Sequence, residues 1–62
     1  MIYIDLWHGD TIKDVKKVTC YFNDLACYYW GHLYNSKNEI IGDYNTPDSV
    51  ELEKMFPGIF GN

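Results

Sequence analysis

Arginine and glutamine are absent from this chain, and its five basic residues, all lysine, stand against nine Asp and Glu. Arginine is the usual planar fork for phosphates and guanine edges, so its absence beside a formal net charge of −4 argues against a nucleic-acid surface. No apolar run approaches the roughly 20 residues that a helix needs to cross a bilayer. The opening Met1-Ile2-Tyr3-Ile4-Asp5 also lacks the basic start and long apolar stretch of a secretory signal. The expected location is the cytoplasm, with no membrane partner. The five glycines, Gly9, Gly31, Gly42, Gly58 and Gly61, are scattered, which excludes a phosphate-cradling loop.

What is present is an unusual density of aromatic side chains, 18% of 62 residues. A chain this short buries only about 60% of the surface its unfolded form exposes. One compact domain over residues 1–62 is therefore expected. Its acidic excess is confined to one end. Up to residue 38, Asp5, Asp10, Asp14 and Asp24 cancel Lys13, Lys16, Lys17 and Lys37, whereas Glu39, Asp43, Asp48, Glu51 and Glu53 face Lys54 alone. That end should attract basic partners and repel phosphate.

Ile2, Ile4 and Leu6 alternate with Tyr3, Asp5 and Trp7, the period of a strand with one buried face. His8-Gly9-Asp10 reads as a turn, with Asp10 capping a short helical stretch through Lys13 and Asp14. Val18–Phe22 and Leu25–Trp30 are β-branched and aromatic runs, and Asn23-Asp24 between them tolerates the positive φ of a two-residue hairpin turn. That turn sets Phe22 opposite Leu25 and Cys20 opposite Cys27. It places Val18, Cys20, Phe22, Leu25, Cys27, Tyr29 and Leu33 on a core face, and Lys17, Thr19, Tyr21, Tyr28, Trp30, His32 and Tyr34 on the other. A second hairpin follows through Asn35-Ser36-Lys37-Asn38, in which Asn38 suits the left-handed position of a bulged type I turn. Either Ile40 or Ile41 then joins Leu33 in the core. Thr46 or Asp48 caps a final helix, whose Leu52, Met55 and Phe56, with Ile59 beyond, form an apolar stripe that Pro57-Gly58 interrupts. The expected fold is α+β, a small antiparallel sheet of three to four strands in a meander, packed by one C-terminal α-helix.

Few chemistries survive this reading. The C-x6-C spacing is longer than metal or redox C-x2-C patterns, and two buried, unreactive thiols are expected in preference to a disulfide. His32 and Cys27, five apart on one strand, point to opposite faces, so no Cys/His nucleophile forms. The trio Asp5, His8 and Asp10 reads as a solvated turn. No cofactor, metal or catalytic residue is expected, and the chain is expected not to be an enzyme. The informative cluster is Tyr21, Tyr28, Trp30, His32 and Tyr34 on the second sheet face. It is either covered by Tyr3, Trp7, residues 8–17 or the C-terminal tail, or left open as a contact surface, since Tyr and Trp anchor protein interfaces. These five residues and Glu51 of the acidic helix are the candidate partner-binding residues. The expected role is an adaptor or inhibitor contacting a protein partner or a second copy of itself. Two further readings use the same features: aromatic stacking on single-stranded nucleic acid, and carboxylates that mimic nucleic acid. The bias toward Asn, Lys, Ile and Tyr fits small proteins of AT-rich bacterial genomes and their phages, where such a module would inhibit a host or defence protein.

Overall fold

The computed structural model describes residues 1–61 and contains five strands and one helix: β1 (Tyr3–Leu6), β2 (Lys17–Val18), β3 (Tyr21–Asn23), β4 (Tyr28–Tyr34), β5 (Ile40–Thr46) and α1 (Ser49–Met55). All pairings are antiparallel, so the expected α+β class holds. The order across the sheet is β1-β5-β4-β2, with β3 also paired to β4. From β3 to β5 the chain is the expected meander. The first strand breaks it by pairing on the far side of β5, with Tyr3 opposite Asn45 and Asp5 opposite Asp43. A 3-10 turn at Ile12–Asp14 lies in the connection from β1 to β2. Its cap is Thr11 rather than Asp10: the Thr11 amide and hydroxyl donate to Asp14 Oδ2 at 2.8 and 3.1 Å. The amide bond chiefly, and the hydroxyl with it, hold the Asp14 carboxyl below the usual carboxylate range.

The hairpin between β3 and β4 differs from expectation in its loop. Asn23 Oδ1 accepts from the amides of Leu25 and Ala26, both at 3.1 Å, and Cys27 adopts a left-handed φ of 56°. Residues 24–27 therefore form a four-residue loop, and the pairs become Phe22 with Tyr29 and Tyr21 with Trp30. Leu25 and Cys27, expected in the core, stand in solvent, with Leu25 96% exposed. Cys27 consequently does not face Cys20, and both thiols are free. The second hairpin follows its sequence closely. Asn38 is left-handed at φ 65°, and the Leu33/Tyr34 register shift marks a bulge that buries Ile41 and leaves Ile40 exposed.

Leu33, Ile41, Tyr44 and Leu52 form the buried centre, with Ile2, Ile4, Leu6, Val18 and Tyr29 packed around them. The helix thus covers one sheet face. Asp48 begins it by accepting from the amides of Val50 and Glu51 at 3.0 and 3.2 Å. Losing such a cap costs about 1 kcal/mol. Asp48→Ala is therefore expected to lower the thermal midpoint by roughly 4–8 °C, the shift that ~1 kcal/mol produces in a domain of this size. A calorimetric scan of both proteins checks it.

Candidate functional site: an open aromatic and acidic sheet face

On the side away from the helix, side chains line up in rows across the strands. One row runs Tyr3, Asn45, Trp30, Tyr21, and the next runs Asp5, Asp43, His32, each set by direct pairing. Beyond them Tyr34 pairs with Lys17, whose Nζ lies 4.9 Å over the Tyr34 ring and donates to Asn38 Oδ1 at 3.0 Å. The strand period is the cause, since Ile4, Tyr44 and Leu33 point to the core and their neighbours must point away.

Among the described residues no helix or loop covers this face. Tyr21 is 48% and Trp30 37% exposed, although they lie ring against ring with centroids 4.7 Å apart. Tyr28, His32 and Tyr34 are half-buried among their neighbours. Tyr3 and Trp7, weighed as a cover, instead lie on the same side and are themselves exposed. They widen the face by one strand, with the Trp7 indole N–H 3.4 Å from Asp5 Oδ2.

A hollow of about 220 Å³ opens among Tyr28, Trp30, His32, Asp43 and Asn45. The Trp30 and His32 rings stand edge to face with centroids 5.9 Å apart, and His32 Nδ1 is shielded from water without a hydrogen-bond partner. Beside the hollow, Asp5 and Asp43 sit directly opposite one another, an arrangement of like charges that destabilises a sheet. Among the described residues neither carboxylate has a lysine within 4.0 Å. A cation beside the two carboxylates would relieve that repulsion, and Trp and Tyr rings in general attract cations.

No protein-family model matches the chain, and no curated protein or solved structure matches it significantly. Five of the six sequence-derived contact residues, Tyr21, Tyr28, Trp30, His32 and Tyr34, share the open face. Glu51 does not join them. It accepts from the Ile2 amide at 2.8 Å, and its other oxygen lies 3.4 Å from the Met1 amino nitrogen, so it fastens the start of β1 to the helix. Sequence reasoning missed Asp5 and Asp43 as part of this surface. The alternation of β1 already turned Asp5 outward, but only the pairing of β1 with β5 sets it beside Asp43. The trio of Asp5, His8 and Asp10 is not arranged to hold a metal, as no such group occurs among the described residues.

Proposed function

We propose that this chain is a protein-interaction module that docks a basic segment of a partner protein on its open aromatic sheet face. The observation that carries the reading is the opposed pair Asp5 and Asp43, set among exposed Tyr and Trp side chains on a face that no other described residues cover. Aromatic side chains supply rigid contact area, while the carboxylates select a cationic side chain and disfavour phosphate. Arginine suits the hollow best, because its flat guanidinium stacks on rings and presents several donors to the Asp43 carboxylate and the Asn45 amide oxygen. An adaptor and an inhibitor would both work this way.

The experiment is a titration of the full chain with a short arginine-rich peptide, a lysine-rich peptide of equal charge and a single-stranded oligonucleotide. Binding of the arginine peptide is expected, with Trp30 and Trp7 indole NMR signals shifting. Affinity is expected to fall at least tenfold between about 50 and about 500 mM salt, as ion pairs are screened. Oligonucleotide binding in place of peptide binding, or peptide-induced shifts confined to α1, would overturn the proposal.

A further inference from the structure

We infer that the basic segment docks as an added β-strand along the outer edge of β1, with arginine or lysine at alternate positions and apolar residues between them. This rests on the reading of the open face as a site for a basic segment, and it names the backbone conformation and sequence pattern that such a segment needs. β1 ends the sheet on one side: it pairs with β5, and among the described residues no strand pairs with its other side. The register fixes which of its backbone groups lie at that edge. The Trp7 amide donates to the Ile41 carbonyl at 2.8 Å, so Trp7, Asp5 and Tyr3, at alternate positions, turn their N–H and C=O toward β5. Ile2, Ile4 and Leu6 turn theirs outward. The Ile2 amide meets Glu51 Oε1 at 2.8 Å, whereas Ile4 and Leu6 present two donors and two acceptors to an incoming strand.

The side chains at this edge fit the same role. Ile4 lies opposite Tyr44 and Leu6 opposite Gly42 in the layer that faces the core, yet both remain half-buried where Tyr44 is 1% exposed. Apolar residues of an added strand, set opposite Ile4 and Leu6, would continue that layer outward. Edge strands are ordinarily guarded by lysine, proline or a bulge. β1 reads Tyr-Ile-Asp-Leu, and its register with β5 runs without a shift.

Charge identifies the occupant. Asp5 is the one charged side chain of β1, and it stands exposed opposite Asp43 on the open face. A second β1 laid antiparallel, with Ile4 of each copy opposite Leu6 of the other, would set Asp5 against Asp5. Four carboxylates would then line one row, where a single like-charge pair already destabilises a sheet. A strand with a basic residue opposite Asp5 reverses the sign of that interaction. Neighbouring strands lie about 4.8 Å apart, so the Cα of this residue stands about 5 Å from that of Asp5 and about 10 Å from that of Asp43. An arginine or lysine stem extends across Asp5 toward Asp43. The residues two places to either side stand opposite Tyr3 and Trp7, which are exposed and whose rings attract cations.

The test uses the full chain, an acetylated Arg-Val-Arg-Val-Arg amide and two N-methylated forms of that peptide. In antiparallel pairing the valines lie opposite Ile4 and Leu6, so their amides bond to β1 and the arginine amides point away. Methylating the valine amides is expected to weaken binding at least thirtyfold, and methylating the arginine amides less than threefold. The unmodified peptide is expected to slow amide hydrogen exchange at Ile4 and Leu6 at least tenfold. The modifications lie in the peptide, so the fold of the protein is the same in every comparison. Suppose that the peptide shifts the Trp30 indole signal while both methylated forms bind alike and Ile4 and Leu6 exchange as before. Strand addition would then be overturned and the basic-face reading would stand. No binding of any basic peptide would overturn both. An uncharged Thr-Val-Thr-Val-Thr amide that binds as tightly would overturn the basic occupant. So would exchange at Ile4 and Leu6 that slows with protein concentration alone, since a second copy would then hold the edge.

Discussion

Gly31→Ala is expected to leave the chain without a cooperative folded state at room temperature. A Cβ at this buried position would stand 1.9 Å from the carbonyl oxygen of Thr19, 2.7 Å from its carbon and 3.0 Å from the Tyr44 ring. The first two are backbone atoms, so no rotamer change relieves the clash. Thr19 is also fixed from three directions. Its amide donates to the His32 carbonyl at 3.1 Å, its hydroxyl accepts from the His32 amide at 2.9 Å, and its carbonyl accepts from the Tyr44 hydroxyl at 2.7 Å. Burial, with the Cys20 thiol beside it, pushes the Tyr44 phenol above its ordinary range, so the hydroxyl remains a donor. Moving the link between β2 and β3 away from the methyl group forfeits these bonds, each worth about 1 kcal/mol. Overpacking costs a further 1–3 kcal/mol or so. The total, on the order of 4–6 kcal/mol, is comparable with the roughly 3–9 kcal/mol that a domain of this length has in all. A collapsed spread of amide NMR signals and a melt without a sigmoid check the prediction. A midpoint within a few degrees of wild type would mean that the Thr19 crossing is looser than this geometry.

The parts of the fold that were legible in the sequence are those decided by neighbours along the chain. The alternation of Ile2, Ile4 and Leu6, the left-handed Asn38, the cap at Asp48 and the stripe from Leu52 to Phe56 all rest on local steric and hydrogen-bonding rules. The β3–β4 register was less legible, because Asn23-Asp24 is compatible with a two-residue turn and with the longer loop that Asn23 Oδ1 closes. The longer loop pairs Phe22 with Tyr29, seven positions on, where the short turn pairs it with Leu25. That slip of four residues is even, so it changes partners without turning a side chain to the other face. For this reason Tyr21, Tyr28, Trp30, His32 and Tyr34 still stand together. Strand order was the illegible part. No local signal says that β1 pairs with β5, and the opposition of Asp5 and Asp43 depends on that long-range pairing alone.

Trp30→Ala and Asp43→Asn are expected to weaken the arginine peptide by thirtyfold or more and about tenfold respectively, while moving stability in opposite directions. Trp30 stands between Tyr21 and His32 in the middle of the face, the position where a truncated aromatic typically costs an interface about 2 kcal/mol. Its cross-strand contact with Tyr21 contributes only about 0.2–1 kcal/mol to the fold, so the variant remains folded with a slightly lower midpoint. Asp43→Asn keeps the shape of the side chain and removes its charge. Asp5 then no longer faces a like charge, and the midpoint is expected to rise, by an increment on the order of a few tenths of a kcal/mol. Binding nonetheless falls, because the carboxylate that would meet the guanidinium is gone. A purely structural face predicts otherwise: a gain in stability at Asp43 would come with unchanged peptide affinity. Melts and peptide titrations of the two variants under one buffer separate the readings. If both bind the peptide as wild type does, the basic segment docks somewhere other than this sheet face.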